Sequence, residues 1–264
     1  MTPEQIAAAA QALFGAETAG TQTGLVSLEF PGMTMDDAYA VQAALVARKK
    51  AAGRHVIGWK IGLTSKAMQA ALNIDIPDSG VLLDDMAFEN GATIPGGRFI
   101  QPRIEAELAF VMKGSLAGDV SRQEVIAATD YVTPAIEILD TRILRRDPDT
   151  GQPRIITDTI SDNAANAGII AGEARLDPAG DLRWIGAIVS RNGEVEETGL
   201  GAGVLNDPVT GIIWLASRMA QYGDAIKPGQ IILSGSFIRP VECPSGTRID
   251  ADFGRAGTIT CSFE

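Results

Sequence analysis

An α+β fold is predicted by a change of texture along the chain. Residues 1–55 carry helix caps and helically spaced apolar positions, whereas from residue 56 onward short β-branched runs are punctuated by Gly and Pro. With 264 residues, 45% of them hydrophobic, the chain can bury a substantial core, and it shows neither a repeat nor a low-complexity linker. Residues 1–264 therefore read as one domain, a mainly helical N-terminal extension over 1–55 joined to a β-rich core over 56–264.

Thr2 as N-cap, Pro3 at the first helical position and Gln5 three residues past the cap start a helix expected to run to about Phe14. A second helix starts at Thr34. Ala38, Val41 and Leu45 form its apolar stripe, Lys49 and Lys50 suit its negative end, and Gly53 offers a left-handed stop. A brief helix is expected after Thr64 and another from Ser121 and Glu124 onward. Trp184 to Arg191 reads as a strand, Asn192-Gly193 as a type I′ turn and Glu194 to Thr198 as the returning strand, with Glu196 and Glu197 on its solvated face. Asp207 caps and Pro208 starts a helix whose apolar stripe is Ile212, Leu215 and Met219, with Trp214 beside it, and which Gly223 ends. Three strands follow, around Gln230 to Leu233, Thr247 to Phe253 and Thr258 to Phe263. The segment from Arg145 to Arg154 is unusually polar, and long ordered loops tend to be lids or contact elements.

The 33 acidic against 22 basic residues give a net charge of −11, which repels phosphate backbones and anionic lipid; nucleic-acid and membrane-surface roles are not expected. Cys243 and Cys261 are too few for a disulfide framework and lack metal-site spacing, so both are expected to be buried and inert in a reducing cytoplasm. The opening Met1-Thr2-Pro3-Glu4-Gln5 lacks the basic start and apolar run of a secretion signal, and no stretch approaches the ~20 apolar residues that cross a bilayer.

Chemistry is suggested first by Ile104-Glu105-Ala106-Glu107-Leu108, a strand pattern that puts both carboxylates on one face. Pro134 to Leu139 is a second apolar strand with Glu137 in its middle, a poor place for a charge unless something compensates its desolvation. Three such glutamates would raise one another's pKa unless a divalent cation neutralised them, and all-oxygen ligation suits Mg²⁺ or Mn²⁺. Spacing alone equally allows Glu105 and Glu107 to line the solvated face of an edge strand. Lys60, between Gly58 and Gly62, is a candidate proton-transfer group whose pKa burial beside a metal would lower, or else a structural partner of a glutamate. Asp78, in Pro-Asp-Ser-Gly, is a second acid/base candidate or simply a turn former. Asp84 and Asp85, taken as part of a strand, would face opposite ways and read as structural. Gly235 and Ser236 could together contact a carboxylate, and Ser161 could touch substrate, with tight-turn or capping roles as alternatives. His55, the sole histidine, falls at a helix end and is expected to be exposed and chemically idle.

In order and spacing, Gly58-Trp59-Lys60-Ile61-Gly62-Leu63-Thr64-Ser65, Pro77-Asp78-Ser79-Gly80, Leu83 to Met86, Pro102-Arg103-Ile104-Glu105-Ala106-Glu107, Ile136-Glu137 and above all Asp158 to Gly168 resemble the 2-oxopent-4-enoate hydratase group of the fumarylacetoacetate hydrolase superfamily. The likeness covers the chain from about Thr34 to its end. It implies a mixed β-roll and Mg²⁺ or Mn²⁺ on Glu105, Glu107 and Glu137, strengthens the catalytic reading of Lys60, and matches Ser236, after Gly235, to a small hydroxyl that contacts the substrate's acid end; Asp78 and Ser161 stay candidates on their residues alone. It also implies a homo-oligomer, often a pentamer-based decamer, and a small anionic 2-oxo acid as substrate.

The implied reaction is hydration of a 2-hydroxydienoate in aromatic catabolism. The wording of the likeness favours a seven-carbon dicarboxylate, as in homoprotocatechuate breakdown, whose second carboxylate would need a clamp such as Arg145, Arg146 or Arg154, or failing these Arg142, Arg183 or Arg239. Decarboxylation of 2-oxo-3-hexenedioate (4-oxalocrotonate) by the same triad is the alternative. A non-catalytic β-domain is a third reading, which Lys60 beside an intact triad disfavours, and hydrolysis by a His-Glu pair is disfavoured by the lack of a nearby histidine.

Overall fold

A computed structural model describes residues 1–65, 69 and 76–264. In chain order the helices are α1 (Pro3–Ala19), α2 (Val26–Glu29), α3 (Met35–Ala51), α4 (Arg122–Ala128), α5 (Ile156–Ser161) and α6 (Pro208–Ala220). The strands are β1 (Val56–Gly62), β2 (Asp78–Leu83), β3 (Ala87–Phe88), β4 (Thr93–Ile94), β5 (Arg103–Met112), β6 (Thr129–Leu139), β7 (Asn166–Ala171), β8 (Gly186–Arg191), β9 (Glu194–Leu200), β10 (Ile231–Leu233), β11 (Val241–Glu242), β12 (Arg248–Asp252) and β13 (Thr258–Phe263). The helix expected after Thr64 falls outside the described residues. No described helix is long and apolar enough to cross a membrane.

Local chemistry accounts for the helix starts. Thr2 with Gln5, Thr34 with Asp37 and Ser121 with Glu124 each close a reciprocal capping box, and Asp207 accepts the Val209 N–H ahead of Pro208. The first helix continues beyond Phe14 to Ala19, where Gly20 at φ 65° ends it. Asn192 and Gly193, at φ 53° and 87°, make the expected type I′ turn between β8 and β9. Trp184 is not in the strand: it ends a single 3₁₀ turn and is 72% exposed. Asp84 and Asp85 also sit in a 3₁₀ turn, where Asp84 accepts the His55 backbone N–H and Asp85 pairs with Arg54.

The strands form two mixed sheets. The larger runs β2-β1-β10-β5-β6-β7-β3, with β11 added to the start of β5, and the smaller runs β4-β13-β12-β8-β9. Alternation along β5 sorts its side chains. Ile104 and Ala106, with Ile136 and Ile138 of β6, pack against Val189, Ile249, Ala251 and Ile259 of the smaller sheet. Leu108 and Phe110 on the same face meet Ile212, Leu215 and Ala216 of α6. The odd-numbered residues, the two glutamates among them, face the other way. Cys243 and Cys261 are buried and free, and burial pushes the Cys261 thiol up to about 12.

The helical extension grips the rim of this sheet. Gln42 of α3 donates to the carbonyls of Ser79 and Ile160, and Ser27 donates from both its backbone N–H and its hydroxyl to Asp158 of α5. Between α5 and β7, Asn163, Ala164 and Ala165 all adopt left-handed backbone (φ 53°, 53° and 59°), which costs roughly 1–2 kcal/mol per residue without glycine's freedom. Arg142, 2% exposed, spans both ends of the turn. Its Nε donates to Asp162 Oδ1 at 2.6 Å, and its terminal nitrogens reach the carbonyls of Asp162 and Asn166. The Asn163 side chain pins the middle to both backbone groups of Val81.

This clamp predicts a stability effect. Arg142→Ala strands a buried Asp162 carboxylate, and urea denaturation should show a loss of about 3–5 kcal/mol; Arg142→Met combined with Asp162→Asn should lose less, since no charge is then left unpaired.

Candidate active site

The strand pairing brings the three glutamates together. β5 and β6 run antiparallel with Glu105 directly opposite Glu137, and Glu107 lies two residues along the same face. One carboxylate oxygen from each falls within 4.8 Å of the others, and Glu107 and Glu137 are wholly buried. Glu107 Oε2 accepts the Gly235 N–H at 2.8 Å, whereas Glu107 Oε1 and both Glu137 oxygens have no hydrogen-bond donor. Burial, then the neighbouring Glu137, push the Glu105 carboxyl up to about 8; burial, then Glu137 and Glu105, hold Glu107 well above the usual carboxylate range. Orphaned, converging, all-oxygen donors are a poor resting place for three anions and a good fit for one hard divalent cation.

Lys60 and Asp78 stand beside this triad on β1 and β2, which pair so that Lys60 faces Gly80 and Gly62 faces Asp78. Both side chains are almost fully buried, and Lys60 Nζ lies 3.4 Å from Glu137 Oε1. Gly62 makes room for them: a Cβ there would come within 2.1 Å of Asp78 Oδ1 and 3.0 Å of Lys60 Nζ. Burial alone would lower the lysine's pKa, as its apolar sequence surroundings predict. In the structure burial does oppose its charge, but Glu137, Asp78, Glu105 and Glu107 outweigh it and raise the ammonium above its ordinary value. Burial pushes Asp78 up against the pull of Lys60 and of the Gly62 backbone N–H, and no well-formed hydrogen bond reaches its Oδ1.

Lys60, Asp78 and Glu105 open into a cleft of about 390 Å³, whose walls also include Thr64, Arg154, Thr159, Ala164, Ala165, Glu197, Ser236 and Arg239. That is the size of a small-molecule site. Ser236 is at its edge, its hydroxyl donating to the Ile238 carbonyl at 2.8 Å. Gly235 is required twice, since its φ is 111° and a Cβ would strike Thr64 at 2.2 Å. Ser161 is fully buried on α5 with its hydroxyl unpartnered, and Thr159 rather than Ser161 lines the cleft. Glu197 corrects the expectation of a solvated hairpin face: it is half-buried, borders the cleft and pairs with Arg239 at 2.6 Å.

Of the loop arginines, Arg146 is exposed and Arg145 lines a different hollow beside Arg103 and Glu242. His55 is exposed and borders no part of the cleft. Thr64, Thr159, Glu197 and the left-handed Ala164-Ala165 were not legible as site residues, because chain segments far apart in sequence bring them to the cleft.

Comparison with known proteins places these features among relatives. The chain is 52% identical to a 2-oxo-hept-4-ene-1,7-dioate hydratase of Escherichia coli over 96% of both chains. It is 38% identical to a 2-keto-4-pentenoate hydratase of Paraburkholderia xenovorans over 100% of this chain and 97% of that one. A 4-oxalocrotonate decarboxylase from Pseudomonas putida G7, solved in complex with magnesium and adipate, superposes with a TM-score of 0.93 at 33% identity, covering 100% of this chain and 99% of that one. No family profile matches the chain.

The buried carboxylates predict a pH signature for metal-free protein. Glu105 keeps its proton to about pH 8 when folded but loses it near 4.5 when unfolded, so the folded state binds the extra proton between those values. Stability without metal should therefore fall as pH rises from about 5 to 8, and a saturating divalent cation should flatten that slope. Thermal denaturation with chelator and with added Mg²⁺ across this range checks it; metal-free stability that climbs instead would contradict the burial of the triad.

Proposed function

The chain belongs to the 2-oxopent-4-enoate hydratase group of the fumarylacetoacetate hydrolase superfamily, and from that membership we propose that it hydrates 2-hydroxyhepta-2,4-diene-1,7-dioate, through its 2-oxo form, to a 4-hydroxy-2-oxo acid in aromatic catabolism. The observation that carries the reading is the convergence of Glu105, Glu107 and Glu137, of which Glu105 opens with Lys60 and Asp78 into the cleft. Identity supports hydration over loss of CO₂, at 52% to the heptenedioate hydratase against 33% to a decarboxylase of a Pseudomonas strain.

Magnesium, or manganese in its place, is the ion we assign to the three glutamates, in keeping with their oxygen donors and with the magnesium in the decarboxylase complex. Bound there, such an ion would supply a Lewis acid for the substrate's carboxylate and 2-oxygen. The residues of the chain do the rest. A 2-hydroxydienoate that takes a proton at C5 becomes a 2-oxo-3-enoate; water then adds its oxygen to C4 while C3 gains a proton. Lys60, an ammonium with donors only, brings positive charge and a proton to the cleft, and Asp78, with no well-formed hydrogen bond to its Oδ1, is placed to take a proton from water. Gly235 orients Glu107 through its N–H, and Ser236 offers a hydroxyl at the cleft edge.

A cytoplasmic homo-oligomer is part of the same proposal. Trp184, Ile188, Val195 and Leu200 leave apolar surface exposed around β8 and β9, the edge of the smaller sheet, as expected of a face that another copy covers.

Turnover of a 2-hydroxy-2,4-dienoate, followed by loss of its ultraviolet absorption, should require a divalent cation and stop with chelator. The product should carry one added water by mass; release of CO₂ instead would move the assignment to the decarboxylase. Lys60→Ala should bind metal but turn over about 10²-fold more slowly, Asp78→Asn should be slower as well, and Glu107→Gln should lose most metal affinity. Near-normal rates in the Lys60 variant would make that residue structural.

A further inference from the structure

One cation in the cleft has no anion of its own. Lys60 is paired with Glu137, Arg239 with Glu197, and the buried Arg142 with Asp162. Arg154 lines the same cleft half-buried, and no carboxylate lies within 4.0 Å of it among the described residues. Burial weighs against its charge, and the carboxylates nearest in effect, Asp162 and Asp158, do not offset that cost. A guanidinium desolvated without a partner is unfavourable in the free protein and becomes favourable once an anion arrives.

The side chain is held ready for one. Arg154 closes the base of a hairpin-like loop in which its backbone N–H donates to the Arg145 carbonyl and Arg146 bridges Pro153. Asp147 folds the tip by accepting from the N–H and hydroxyl of Thr150. One terminal nitrogen of Arg154, Nη1, donates to Thr141 Oγ1 at 2.5 Å, and that hydroxyl donates onward to the Ile143 carbonyl. Among the described residues Nε and Nη2 carry no hydrogen bond, which leaves donors of the planar fork for a carboxylate. Arg154 reaches the cleft wall from the loop between β6 and α5, not from the strands that carry the triad, and no carboxylate oxygen of Glu105, Glu107 or Glu137 lies within 4.0 Å of it. It therefore stands apart from the triad and its ion pair with Lys60.

We infer that Arg154 binds the distal carboxylate of a dicarboxylate substrate and sets the preference for dienedioates over dienoates. This rests on the hydratase reading, in which the triad end of the cleft takes the 2-oxo acid group and leaves the other carboxylate in need of a donor. Arg145 and Arg146, on the same loop, do not line the cleft and have no part in it.

The test compares Mg²⁺-loaded wild type, Arg154→Ala and Arg154→Lys on 2-hydroxyhepta-2,4-diene-1,7-dioate and on 2-hydroxypenta-2,4-dienoate. Arg154→Ala should lower kcat/KM on the dicarboxylate about 30-fold more than on the monocarboxylate, mostly through KM, with Arg154→Lys between the two. Calorimetric titration should show the same variant weakening adipate binding by a like factor relative to hexanoate, with Mg²⁺ affinity retained as the sign of an intact fold. Equal losses on both substrates would place Arg154 at the shared 2-oxo acid end or in the fold, and no loss on either would remove it from binding; each overturns the inference. A wild type that hydrates neither substrate would sink the hydratase reading, and the adipate arm, which needs no turnover, would still decide the role of Arg154.

Discussion

Three carboxylates pressed together inside a sheet are the constraint around which the cleft is arranged. Glu105 and Glu137 oppose each other across β5 and β6, Glu107 follows on the same face, and no water layer screens two of the three. Carboxylates that close cannot all stay ionised unless something positive stands among them. Lys60 answers part of the charge and the Gly235 N–H a further part, but three oxygens remain without a donor. The site is thus built to be completed, and the cost of leaving it incomplete falls on the folded state.

That cost explains why so much of the molecule is rigid scaffold. The far face of β5 and β6 is closed by a second sheet and by α6, which fixes the strand register and hence the glutamate spacing. The N-terminal helices contribute nothing to the walls of the cleft, yet Gln42 and Ser27 fasten them to β2 and α5, the elements that carry Asp78 and the start of the left-handed turn. Arg142 holds that turn at both ends. The strain of Asn163, Ala164 and Ala165 is offset by buried ionic and amide bonds at the cleft wall.

What the sequence revealed and what it hid follow from the range of each interaction. Capping boxes at Thr2, Thr34 and Ser121, and the Asn192-Gly193 turn, depend on groups within four residues, and they could be read directly. The shared face of Glu105 and Glu107 needs only the twofold period of a strand. Glu137 is different: a charge in the middle of an apolar strand marks it as needing a partner, but its place opposite Glu105 depends on a register set by β5, β6 and everything packed on them, which no local pattern contains. Alanines in left-handed backbone contradict local preference, and their cause, Arg142, lies more than twenty residues away in sequence. Glu197 looked solvated because strand alternation says nothing about Arg239 arriving from the segment beyond β10. Lys60 was recognised as buried and central, but the direction of its pKa depends on the sum of four carboxylates that no local window contains.

Charge at the scale of the whole molecule sharpens the role of the few buried cations. A chain of net charge −11 repels an anionic substrate at long range, so attraction has to come from within the cleft, where low dielectric strengthens each interaction and salt screens it less. Lys60 is buried and bound up with the triad, whereas Arg239 is exposed and paired with Glu197. A hydratase and a decarboxylase on this scaffold can share the triad completely, since either reaction withdraws electrons toward the same 2-oxygen. Difference between them therefore has to reside in the residues that would face C3 to C5, and on the proposed reading Lys60 and Asp78 of the cleft wall are the candidates.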